Sequence, residues 1–158
     1  MLSIRTATIA ALAVMLLLPS TSLAGLGSDK AMYLGGTVAG VKEKTEGKSS
    51  TTDETVFTFK AKKAGFEIPY DQINSLEYGQ KAGRRIGVAV VVNPLFLFSK
   101  KRKHFLTIGW TDAEGNQQAA VFELGKEIIR VQMATLEARS GRKVEYQDEE
   151  ARKSGAGH

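Results

Sequence analysis

The hydrophobic period of this chain changes once. Through most of Ala31 to Leu124 the apolar residues fall at every second position in short runs, whereas after Gly125 they fall at i, i+4 and i+7. Period two sends side chains to alternate faces of a strand, and the later spacing lines up one face of a helix. Such a chain folds as a sheet of short strands followed by one amphipathic helix.

Ala31 to Val41 has strand character, and Gly35, Gly36 and Gly40 within it mark bends or bulges where a sheet curls. Lys42 to Glu54 is polar and reads as a surface loop. From Thr55 to Lys60, Phe57 and Phe59 share one face. After Gly65, Phe66, Ile68 and Tyr70 alternate with Glu67 and Pro69, and Pro69, which lacks an N–H, ends that strand or places it at an edge. Ile73 to Gly79 sets Leu76 and Tyr78 against Ser75 and Glu77. His104, Leu106, Ile108 and Trp110 alternate with Phe105, Thr107 and Gly109, and the polar turn from Asp112 to Asn116 hands over to Gln117 to Leu124 as a hairpin. In the helix, Ile129, Met133 and Leu136 lie on one face with Ile128, while Arg130, Glu137 and Arg139 point away. Ser140-Gly141 stops it with a residue suited to a left-handed cap. The expected fold is mostly β: six or seven strands in a small curled antiparallel sheet or partly open barrel, closed by one C-terminal amphipathic helix.

The first 24 residues read as a secretory signal. Arg5 supplies a positive start, Ala7 to Leu18 is an unbroken run of apolar, Ala and Thr residues, and Pro19 precedes the small-residue ending Ser22-Leu23-Ala24. Twelve helical residues rise only about 18 Å against a hydrocarbon core of about 30 Å, so cleavage after Ala24 is preferred to an anchor. The expected location is therefore periplasmic or secreted, with peripheral membrane attachment an option. Residues 25–30 are a short leader, 31–141 the β domain with its helix, and 142–158 a polar tail expected to be solvated and mobile. The sequence has no Cys, so the domain is held by its core without disulfides or a cysteine-ligated metal.

Two stretches resemble bacterial pleckstrin-homology-like (PH-like) and GRAM-like domains. Residues Ile68 to Gly79 are similar to their third and fourth strands, and Lys103 to Trp110, the Asp112 to Asn116 turn and Ala120 to Leu124 to their later hairpin and its run into the C-terminal helix. The resemblance implies a non-enzymatic scaffold that binds lipid head groups or proteins. Phosphoinositide-binding members carry a basic cluster on the first hairpin, whereas here Lys42, Lys44 and Lys48 are mixed with Glu43, Glu46, Asp53 and Glu54. A phosphoinositide site of that kind is not supported.

Residues suited to catalysis are few. The two histidines, His104 and His158, lack a second His at ligand spacing, so no metal or other cofactor is expected. Gly47-Lys48-Ser49-Ser50 resembles the end of a phosphate-binding loop, but the Gly required five positions earlier is Lys42. There is no Gly-x-Ser-x-Gly elbow, and Asp112 and Glu114 belong to a hairpin turn rather than a calcium loop. The expectation is a protein without enzymatic activity or an evident small-molecule substrate.

Charge, by contrast, is informative. The net charge of +5 hides the fact that the 34 residues between Glu77 and Asp112 contain no acid and seven bases: Lys81, Arg84, Arg85, Lys100, Lys101, Arg102 and Lys103. Removing Arg5 with the signal leaves the rest of the chain at −3. Between the basic clusters lies the apolar run Ile86 to Phe98, interrupted by Asn93-Pro94, which invites a turn. Ile86 to Val92 suits a buried strand. Leu95, Phe96, Leu97 and Phe98 suit a loop that enters a bilayer interface while the flanking cations meet anionic head groups. The two readings can coexist. The expected partner is thus an anionic membrane surface, the alternative being an unidentified protein or self-association through an apolar patch. Nucleic acid is not expected, because no reading motif accompanies the basic run and the signal directs export.

Overall fold

The elements follow the sequence pattern in the computed structural model, which describes residues 30–80 and 103–156. Among the described residues eight strands occur in the order β1 (Lys30–Gly36), β2 (Thr45–Ser50), β3 (Val56–Ala61), β4 (Gly65–Pro69), β5 (Ile73–Gly79), β6 (His104–Thr111), β7 (Gln117–Leu124) and β8 (Val144–Tyr146). A 3-10 turn, Tyr70–Gln72, joins β4 to β5; helix α1 (Lys126–Ser140) follows β7, and helix α2 (Glu149–Ala156) follows β8. The strands form one sheet in the order β4-β3-β2-β1-β7-β6-β5-β8. Neighbours are antiparallel except β5 and β8, so the sheet is mixed, and β4 and β8 remain as its two edges.

The sheet curls because β1 serves both halves. Its first residues pair with β2 and Ala31 to Gly36 with β7, and the register slips between Tyr33 and Gly35, the bulge foreshadowed by the glycines. Curling brings the edge strand β4 over the second half: the Phe66 ring lies 6.3 Å from that of Trp110 and 6.0 Å from that of Phe122. Tyr33, Phe57 and Phe59 complete this aromatic cluster. Helix α1 covers the remaining opening with Ile128, Ile129, Met133 and Leu136, and Gly141, at φ 69°, caps it in the left-handed region. The mostly β fold with a closing C-terminal helix is as expected.

Two parts differ from the sequence expectation. The polar stretch expected as a loop contains β2, whose residues Thr45 to Ser50 include no apolar side chain. It is a strand because β1 and β3 satisfy its backbone on both sides, and its one buried residue, Ser49, finds a polar partner on α1. Likewise the stretch from Arg142, expected as a mobile tail, forms β8 and α2. Val144 is buried beside β5, the Tyr146 ring meets Tyr78 edge-on at 5.8 Å, and Ala151 is buried. Asp148 starts α2 by accepting the Ala151 N–H at 2.7 Å. Small residues let this short helix approach closely: a Cβ on Gly155 would sit 2.8 Å from Tyr146 Cε1 and 3.0 Å from Tyr78 Cε1.

A further feature follows from the register. Tyr33, Leu106, Ile108, Ala120 and Phe122 face the core, so Leu34, Phe105, Thr107, Ala119 and Val121 face the opposite side of β1, β7 and β6. Those residues are buried as well. Both helices lie on the inner face.

Candidate functional site

Of the residues singled out by charge and apolarity, Lys81, Arg84, Arg85, Leu95, Phe96, Leu97, Phe98, Lys100, Lys101 and Arg102 lie outside the described residues. So does the expected strand Ile86 to Val92. Lys103 is described: its Nζ donates to Glu123 Oε2 at 2.8 Å, both side chains being partly buried. The segment that carries the basic band departs after Gly79 and Gln80 and returns at Lys103. Since Gly79 pairs with Phe105, it leaves and rejoins the same end of the β5–β6 pair.

Two basic depressions meet at that foot. The larger, of about 1300 Å³, runs along β1, β2 and β3 and the turn after β3. Alternation explains its lining: Phe57 and Phe59 turn inward while Lys60 turns out, and Ser49 turns inward while Lys48 turns out. Lys30, Lys42, Lys48, Lys60, Lys62 and Lys63 line it with only Glu46 and Glu123 as acids, over an apolar floor that includes Met32 and Leu124. These lysines are scattered over 34 positions of sequence and interspersed with Glu43, Glu46, Asp53 and Glu54, so no single stretch stands out as basic. Pairing of Lys30 with Lys48, and of Lys48 with Lys60, is what gathers them.

The smaller depression, of about 720 Å³, begins where the first ends, with Lys126 directly after Gly125. Its cations are Lys126 and Arg130 on α1 and Lys153 on α2, and its acids are Glu149 and Glu150. Arg152 pairs with Glu149 at 3.0 Å, and Arg130 donates to the Ser154 carbonyl at 3.2 Å, which ties α2 to α1. His104 forms the wall. Its Nδ1 lies 2.6 Å from the Tyr78 hydroxyl, which in turn lies 3.2 Å from Ser154 Oγ. Burial holds the His104 pKa below its ordinary value, and Lys126 and Arg130 lower it further while Glu127 opposes them. Burial raises the Tyr78 pKa. These influences favour the neutral form of the His104 ring, whose Nδ1 faces the Tyr78 hydroxyl.

This geometry places a histidine in a cleft beside carboxylates, the arrangement that catalysis would require. Its hydrogen bonding differs from that of a nucleophile and base, because Ser154 bonds Tyr78 and not the imidazole. At the opposite end of the sheet, Asp112 accepts hydrogen bonds from the Asn116 N–H at 2.8 Å and from Gln118 Nε2 at 2.7 Å, which together with the other turn contacts lower its pKa. Its carboxylate organises the hairpin turn. Among the described residues no group of three His, Asp or Glu side chains is arranged to hold a metal ion, and no helix is long and apolar enough to cross a membrane. Comparison with protein-family models finds no match to this chain, and comparison with curated proteins finds none either.

Proposed function

We propose that this protein is an exported, non-enzymatic binding module of PH-like type that attaches reversibly to an anionic membrane surface. In this reading the signal is removed after Ala24, Leu95 to Phe98 enter the interface, and the basic residues on either side meet head groups. One observation carries it: the lysine-lined depression and the Lys126, Arg130 and Lys153 cleft adjoin at the β6–β7 end to which the basic segment returns. Cations from five elements thus border one region of the surface. The curled sheet with a helix over its opening also supports the PH-like assignment.

Each lysine near an anionic surface contributes about 1 kcal/mol, or about fivefold in partitioning. The test is co-sedimentation of the chain beginning at Gly25 with phosphatidylglycerol vesicles, compared with phosphatidylcholine vesicles. Binding to the anionic vesicles alone, weakened by salt and by Phe96→Asp, Lys101→Glu and Lys60→Glu, is the expected result. Protein that stays in the supernatant at low salt overturns the proposal. A salt-insensitive oligomer or a stable protein complex without lipid dependence would favour the scaffold alternative instead.

A further inference from the structure

The outer face of β1, β7 and β6 is an apolar surface that something covers. Leu34, Ala119 and Val121 are 0% exposed, Phe105 4% and Thr107 7%. Edge-on neighbours in the same sheet cannot achieve this, because a side chain standing off a sheet is shielded only by atoms stacked above it. Both helices and the aromatic cluster lie on the inner face, so no helix or strand among the described residues supplies that layer.

We infer that this face is the docking surface for Ile86 to Val92 of the same chain. The 22 residues 81–102 start and finish on β5 and β6, beside Phe105. Within them Ile86-Gly87-Val88-Ala89-Val90-Val91-Val92 is uninterrupted by any polar side chain. Seven extended residues span roughly 23 Å, whereas crossing from β6 through β7 to β1 takes only roughly 10 Å, so this run is long enough to cover the buried patch. An apolar layer of β-branched residues over Phe105, Val121 and Leu34 forms a sheet buried on both sides, which is where continuous Val and Ile runs are found. Asn93-Pro94 then ends the docked stretch, leaving Leu95 to Phe98 beyond it. This inference stands apart from the membrane proposal, since the face would need its cover whether or not the chain ever meets a lipid.

The sequence contains no Cys, so one introduced thiol reports on the face cleanly. The experiment places Val121→Cys in the full chain and in the chain beginning at Gly25, and measures its rate of maleimide labelling against Ala113→Cys in the exposed turn. In both chains the Val121→Cys thiol should react slower by about 100-fold or more, as for a site reached only by local opening. Replacing Ile86 to Val92 with seven Gly and Ser residues should abolish that protection. Protection lost on removing residues 1–24 would identify the amino-terminal segment as the cover and overturn the inference. Protection lost on dilution would identify a second copy, with the same consequence. Because the replaced chain can fail to fold, Val121→Cys is also combined in turn with a Cys substitution at each position from 86 to 92 in the otherwise unaltered sequence. A disulfide under mild oxidant at one or more of these positions is expected; a disulfide at none overturns the inference.

Discussion

Ser49 on β2 and Gln132 on α1, 83 positions apart, bond to each other inside the protein, with exposures of 1% and 5%. Gln132 Nε2 donates to Ser49 Oγ at 2.7 Å and to the Ser49 carbonyl at 3.2 Å, and Ser49 Oγ donates back to Gln132 Oε1 at 3.0 Å. This pair fixes β2, which has no apolar side chain, to the helix that closes the sheet. Gln132→Met removes the carboxamide at similar volume and leaves a buried hydroxyl and carbonyl unpaired, at a cost of about 1–3 kcal/mol. Ser49→Ala added to it should cost less than the two single changes together, because the stranded hydroxyl is then gone. Urea unfolding of the four proteins measures the coupling, and strict additivity would refute it.

Arg139 anchors the far end of the same helix. Its Nη1 donates to the Thr51 carbonyl at 2.6 Å, to the Asp53 carbonyl and to the Tyr70 hydroxyl at 3.2 Å, and the guanidinium lies 5.3 Å from the Tyr70 ring centre. The helical spacing sends this residue away from the core, yet its length carries it across to the β2–β3 connection. Arg139→Lys preserves the charge but lacks the planar guanidinium that lies over the Tyr70 ring. A loss of about 1–2 kcal/mol in chemical denaturation is expected, and Tyr70→Phe should cost less, about 0.5–1 kcal/mol. Equal stability of Arg139→Lys and the parent chain would show that charge alone suffices.

These contacts mark the boundary of what pattern reading reaches. The alternating strand Ile73 to Gly79, the strand Gln117 to Leu124 after its polar turn, and the helix ending before Gly141 follow from periodicity, a turn and a cap, all local signals. Strand β2 has no such signal, because its stability lies in neighbours supplied by β1 and β3. Helix α2 did have one: Asp148 followed by Glu149 and Glu150 is a helix start, but the absence of large apolar residues made it read as tail. The lysines of the β1–β3 depression were invisible for a different reason, since net charge along the chain does not report which cations share a face. The alternation of His104 to Trp110 gave the inner face correctly and left the burial of Phe105 and Thr107 unexplained by polarity.

Gly155 tests how α2 is held. Alanine favours a helix over glycine by about 1 kcal/mol, so propensity alone makes Gly155→Ala stabilising. Contact with Tyr78 and Tyr146 acts the other way, because the added methyl would lie 2.8 Å from Tyr146 Cε1 and neither ring can retreat without disturbing the other. An eight-residue helix has no independent stability once undocked. Faster trypsin cleavage at Arg152 and Lys153 is therefore expected in Gly155→Ala, and slower cleavage would mean that propensity wins.

His104 gives the fold a defined response to mild acid. Its folded pKa lies below the ordinary 6.5, with burial the main cause and Lys126 and Arg130 adding to it. The unfolded chain therefore takes up the proton first as pH falls. Stability contributed by the neutral ring is complete above about pH 6.5 and is lost progressively from there down to the folded pKa, below which both states are protonated and the loss ends. Asp53 and Asp112 behave separately: their folded pKa values lie below 3.8, so what they contribute is present above that value and is lost only in stronger acid. In urea unfolding between pH 7.5 and 5, His104→Gln should remove part of the acid sensitivity of the parent chain. Lys126→Gln should move the His104 titration, followed by its imidazole proton resonances, upward toward 6.5 by removing one of the cations that face the ring. Tyr78→Phe keeps those cations but removes the hydroxyl at Nδ1, and it should cost about 0.5–1.5 kcal/mol at pH 7.5. An unchanged His104 titration in Lys126→Gln, or the same acid sensitivity in His104→Gln as in the parent, would remove the cleft electrostatics as its cause.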